Sequence, residues 1–175
     1  MAFLWAWVPH RKERKALESA IKPANAQEKK ALRQFGKATS ALLLRETSLM
    51  KTEHSLAQLK EKLLGAAWPA RQNGNGVRVN FSVYVPPGLK LDENIFPALS
   101  TLILISGMKS HSGGEMLLQA DYHPSTGNFT LEMPSMVHPG VSGNPLVKSA
   151  LGALSGSMEL TPFNHTKLTV HAEKA

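Results

Sequence analysis

The sequence predicts an α+β protein built as a helical stalk followed by a two-layer sheet domain. Three observations predict it. Charge divides the chain: residues 1–72 carry fourteen Lys or Arg against six Asp or Glu, whereas residues 73–175 carry six against seven. Phe35, Leu42, Leu49, Leu56 and Leu63 recur every seven positions, which is a helical spacing. Beyond residue 76 apolar and polar residues alternate, as on strands with one dry face. The chain has 175 residues, enough for one domain and an appendage. It has no cysteine, which excludes disulfides, thiolate-bound zinc and cysteine catalysis.

Residues 1–9 begin with an apolar stub, Met1 to Val8, and a basic run follows from His10 to Lys15. Eight apolar residues cannot span a bilayer, which needs about 20. Trp5 and Trp7 beside basic charge resemble the end of a membrane anchor at the headgroups. The same stretch also suits packing on the chain's own domain. Residues 10–71 form the stalk. It is interrupted near Pro23, because proline inside a helix costs about 3 kcal/mol. A second helix is expected from Ala26 to Ala67. Its heptad seam, Phe35, Leu42, Leu49, Leu56 and Leu63, is a candidate partner-binding stripe. The companion seam of Ala38, Arg45, Thr52, Leu59 and Ala66 is poor. The spacing therefore allows a weak or heterotypic coiled coil, or a helix that packs on its own domain.

Residues 72–76, Gln-Asn-Gly-Asn-Gly, read as a linker. The sheet domain then runs over 77–175. Val77, Val79, Phe81, Val83 and Val85 share one face of a strand, with Arg78, Asn80, Ser82 and Tyr84 on the other. Arg78 and Tyr84 join the candidate partner-binding residues. Asp92 can cap a helix whose stripe is Ile95, Phe96, Leu99, Leu102, Ile103 and Ser106. Thr101 to Ser106 also fits a buried strand, since short apolar runs are ambiguous. Glu115 to Tyr122 and Gly127 to Met133 form a hairpin about a Pro- and Gly-containing turn. Pro134 to Gly143 is a loop. Asn144 and Pro145 open a short helix, as cap and first-turn residue. Ser157 to Leu160 and Thr166 to Ala172 close the chain as an interrupted strand or a hairpin.

The order strand, helix, strand, strand, helix, strand matches a ferredoxin-like arrangement of an antiparallel sheet with two helices on one side. An apolar start, a charged stalk and such a domain resemble the bitopic inner-membrane platform proteins of type II secretion systems and type IV pili, the GspL, GspM, PilN and PilO group. The stretch Ala120-Asp-Tyr-His-Pro-Ser-Thr-Gly-Asn-Phe-Thr-Leu131 is similar to the hairpin of the GspL-type periplasmic domain. The resemblance implies a non-enzymatic scaffold subunit without cofactors. It would sit at the inner membrane with its soluble domain in the periplasm. Its partners would be a second copy, a related platform subunit or other pilus or secretion components.

Chemistry is sparse. His111, His123, His138, His165 and His171 are scattered, and no pair has the helical spacing of a zinc site. Ser112, Asp121 and His123 are the types of a hydrolytic triad, but no nucleophile elbow frames the serine. The glycines at 74, 76, 113 and 114 read as turns rather than phosphate cradles. The alternative function is nucleic-acid binding through the basic amino-terminal helix, with Arg11, Lys12, Arg14, Lys15, Lys29, Lys30, Arg33 and Lys37.

Overall fold

A buried carboxylate starts the most buried helix of the molecule. Asp92, 4% exposed, accepts hydrogen bonds from the backbone N–H of Asn94, Ile95 and Phe96 at 3.0, 2.5 and 3.1 Å. Those are donors that a helix leaves unsatisfied at its first turn. The other carboxylate oxygen takes the N–H of Met50 at 3.1 Å, which ties the preceding segment to the same point. The computed structural model describes residues 10–45, 48–71, 76–111 and 114–175.

The elements in chain order are α1 (Arg11–Ile21), α2 (Ala26–Leu43), β1 (Lys51–Ser55), α3 (Leu56–Arg71), β2 (Val77–Phe81), β3 (Gly88–Asp92) and α4 (Ile95–Ser110). There follow β4 (Met116–His123), β5 (Asn128–Met133), α5 (Pro139–Ser142), α6 (Pro145–Ala153), β6 (Ser157–Leu160), β7 (Thr166–His171) and β8 (Glu173–Lys174). The main sheet has the order β2-β4-β5-β7-β6. Its β2–β4 pair is parallel, with Val79 opposite Leu118, and its other pairs are antiparallel. A small antiparallel sheet, β1-β3-β8, stands apart from it.

Alternation decides which face of the main sheet is covered. Val79, Met116, Leu118, Phe129, Leu131, Leu168 and Val170 are buried, whereas Arg78, Asn80 and Gln119 between them are exposed. The α4 helix lies on the apolar face: Phe96 meets Phe129 edge-on with ring centroids 6.1 Å apart. Farther along, Gly107 permits a close approach. A Cβ there would sit 2.1 Å from Met133 Cε and 2.8 Å from Ser135 Oγ. Leu17 of α1, Phe35 of α2 and Leu63 of α3 belong to the same apolar core as Leu131.

The α+β class is observed, and the helix over 95–110 excludes the strand reading of residues 101–106. The ferredoxin-like arrangement is corrected. The first strand ends at Phe81 rather than Val85, because Ser82 turns the chain: its N–H goes to Ala120 O, and its Oγ donates to Asp121 Oδ1. Residues 88–92 then pair with Lys51–Ser55 in the second sheet, Thr52 opposite Leu91. That pairing also breaks the long helix expected over 26–67 into α2 and α3. The stub at 1–9 and most of the linker at 72–76 lie outside the described residues.

Candidate functional site

A cleft of about 380 Å³ opens where the carboxyl-terminal half of α4 meets the segment after β5 and the end of α1. The α4 helix contributes Ser106, Lys109 and Ser110, the last turns of a helix whose earlier residues are nearly all apolar. The segment after β5 contributes Met136, Val137, His138 and Pro139. From α1 come Ala20, Ile21 and Lys22. Hydrogen bonds fix the first two walls on each other. Ser106 Oγ accepts from His138 N at 2.9 Å, Ser135 Oγ donates to Gly107 O at 2.8 Å, and Ser110 Oγ donates to Met136 O. His138 Nδ1 in turn accepts from Gly140 N at 2.9 Å and starts α5.

Lys109 is the cation that α4 brings to this cleft, beside the exposed Lys22 of the opposite wall. Its ammonium donates to Ile21 O at 2.6 Å and to Lys22 O, and lies 3.2 Å from Glu28 Oε2. Glu28 is buried at the start of α2. Its Oε2 accepts from Ala24 N at 2.7 Å, while its own N–H goes to Asn25 Oδ1 at 2.9 Å, a reciprocal cap. Glu28 Oε1 is buried without a hydrogen-bond partner. The cleft therefore combines apolar walls, hydroxyls, one imidazole and a cation already held by three oxygens.

The expected site residues are mostly elsewhere. Phe35 and Leu63 are buried at 0% and 1% exposure, inside the chain's own core. Leu42, Leu49 and Leu56 are partly buried against it. A seven-residue seam does not form, because the chain leaves the helical path at β1. Arg78 and Tyr84 keep exposed side chains, Arg78 facing Glu115 at 3.6 Å. Ser112 lies outside the described residues. Asp121 receives its serine hydroxyl from Ser82, with Tyr122 N at 2.7 Å and His123 Nε2 at 3.9 Å. Burial pushes the Asp121 carboxyl up, but the hydrogen bonds from Ser82 and Tyr122 outweigh it and hold the group below its usual range. Here Ser82 donates to the acid rather than to the imidazole, so the pair locks the turn after β2. His165 pairs with Glu132 at 2.7 Å. Among the described residues no group of three His, Asp or Glu is placed to hold a metal ion. Sequence reasoning missed Lys109, whose signal was a lone cation closing an apolar helix.

Comparison of the whole fold shows what this arrangement is similar to. The histidine kinase AdeS of Acinetobacter baumannii superposes with a TM-score of 0.60 at 10% identity, over 92% of this chain and 95% of that one. ShkA, solved full-length in complex with AMPPNP, superposes with a TM-score of 0.55 at 14% identity, over 98% of this chain but 45% of that one. The cytoplasmic segment of the histidine kinase QseC gives 0.51 at 13% identity, over 79% of this chain and 87% of that one. The fold is that of these histidine kinase segments. No family model matches the chain, and no curated protein does.

This likeness overturns the resemblance to secretion and pilus platform proteins, and with it the non-enzymatic scaffold, the pilus partners and the inner-membrane, periplasmic placement. The platform resemblance rested on a charged helical start, one hairpin and two flanking helices, none of which fixes how the strands pair. The parallel β2–β4 pair and the second sheet depart from the ferredoxin-like arrangement that the resemblance implied. The nucleic-acid alternative also finds no support among these neighbours. No helix among the described residues is long and apolar enough to cross a membrane.

Proposed function

We propose that the chain is a signal-transduction domain of the histidine kinase type that binds an adenine nucleotide in the cleft beside α4. The observation that carries this reading is the cleft itself, placed on a fold whose ShkA example was solved with AMPPNP. Its walls suit such a ligand. Met136 and Val137 offer apolar surface to a base, and Lys109, Ser106, Ser110 and His138 offer polar groups to the phosphates. The reading concerns the nucleotide itself, since the described residues provide no carboxylate set for a metal. A second copy of the chain is the partner this reading keeps, with exposed Arg78 and Tyr84 retained as its contacts.

Calorimetric titration of the full chain with AMPPNP tests the proposal. We expect saturable binding that is weakened at least about tenfold by Ser110→Ala combined with His138→Ala, a loss equal to about 1.4 kcal/mol. Absence of heat and of any thermal stabilisation at millimolar AMPPNP would exclude the nucleotide.

A further inference from the structure

The α1 helix has the marks of a removable wall. It has eleven residues, below the roughly 12–15 at which an isolated helix holds itself in water. Its apolar anchors are Leu17 and Ile21, each 1% exposed, with Ala20 half-buried beside them. Arg11, Lys12, Lys15, Ala16, Glu18 and Ser19 face solvent.

Polar ties hold it at both ends. Asn144 Nδ2 donates to Glu13 O at 2.8 Å near its start. Lys109 donates to Ile21 O and Lys22 O at its end. The carbonyls at a helix end have no partner within the helix and carry its negative dipole. An ammonium from α4 supplies that partner here. Immediately beyond lies a joint. Lys22 has φ 51°, in the left-handed region, and Pro23 follows. The α2 helix begins afresh with its own cap at Asn25 and Glu28. Swinging α1 away about Lys22, ahead of Ala24, leaves that cap intact.

The position of α1 gives the joint a consequence. Ala20, Ile21 and Lys22 form one wall of the cleft, and the cation that holds them is the cleft's only charged group on α4. Lys109 has three ammonium hydrogens, already directed at Ile21 O, Lys22 O and Glu28. A phosphate reaching Lys109 has to take the place of the α1 carbonyls. We infer that α1 is a displaceable wall of this cleft: it closes the site when Lys109 holds its carboxyl-terminal carbonyls and uncovers it when it swings out. The inference rests on the reading of the cleft as a nucleotide site for the identity of the ligand, and on the geometry of α1 alone for the opening. Whatever binds the open form shifts the equilibrium by its differential affinity.

Two measurements on the full chain decide it. Hydrogen exchange of the wild type should show α1 amides opening well below the free energy of β5 and β7, as a separate unit. In Leu17→Asp, which puts a charge on the buried face of α1, α1 protection should fall at least about 100-fold while β5 and β7 stay protected. The same variant should bind anilinonaphthalene sulfonate, a probe of uncovered apolar surface, and bind AMPPNP at least about tenfold more tightly than the wild type. If α1 opens and the dye binds but AMPPNP does not, the displaceable wall stands and the nucleotide reading fails. If AMPPNP binds wild type and variant equally, the nucleotide reading stands and the wall is refuted. Wild-type α1 amides that exchange only with β5 and β7 overturn the inference even where Leu17→Asp fails to fold.

Discussion

At the scale of the residue, two titratable groups reach into poorly solvated places, and each makes a prediction. Lys109→Ala strips the cation from Glu28, whose side chain is 1% exposed, and from two helix-end carbonyls. Leaving a buried carboxylate without its partner costs about 3 kcal/mol. Glu28→Gln in the same background should recover at least about 1 kcal/mol, the coupling expected of contacting residues. Urea denaturation of the two single variants and the double variant measures this. His54 is buried between β1 and α3, with Nδ1 lacking a partner. Burial, then the charge of Lys62, holds its pKa below the ordinary 6.5. The unfolded chain therefore binds the proton more readily than the folded one. Stability is complete above about pH 6.5 and declines as the pH falls toward the lower folded value. His54→Gln should flatten that decline in melts recorded between about pH 7 and pH 5. A slope left unchanged would assign the decline to other groups.

At the scale of the element, α4 is the piece on which the rest depends. Asp92 satisfies four backbone donors, three in its first turn and one from Met50. Asp92→Ala should cost at least about 2 kcal/mol, more than an ordinary cap, because the donors it abandons are partly or wholly buried. At the other end, Gly107→Ala places a methyl into Met133 and Ser135. A cost of about 1–3 kcal/mol is expected, moderated by the flexible end of Met133. Thermal melts of each check both values. Gly152→Ala, inside α6 where a Cβ meets nothing within 4 Å, is the clash-free control and should gain up to about 1 kcal/mol. The capping carboxylate, the hairpin over 116–133 and the Asn144 cap of α6 were all legible in the sequence, because each is local chemistry. β1 was not: Lys-Thr-Glu-His-Ser has no apolar alternation, and it is a strand only because β3 pairs with it.

At the scale of the molecule, helices and sheet share one core, so the heptad leucines serve folding. Leu63→Ala should destabilise the whole chain by about 2–5 kcal/mol, as deletions in a buried site do. If the chain pairs with a second copy, sedimentation should register Tyr84→Ala as a weakened dimer at unchanged stability, since that side chain is 66% exposed. An unaltered dimer would place the interface elsewhere.

What the sequence determined by itself is therefore what short-range physics fixes: the helical and strand periods, the caps at Asp92 and Asn144, the turn at Gly127, and the concentration of basic charge before residue 73. Tertiary structure alone decided which strands meet, because a register is chosen by long-range burial and a parallel pair such as β2–β4 leaves no signature in either strand. It also decided the site. Ile21 and Glu28 lie 88 and 81 residues before Lys109, and only the folding of α1 and α2 against α4 brings their oxygens to its ammonium. A cleft formed from three distant segments has no motif in the chain, since each segment carries a residue type that is ordinary in its own surroundings.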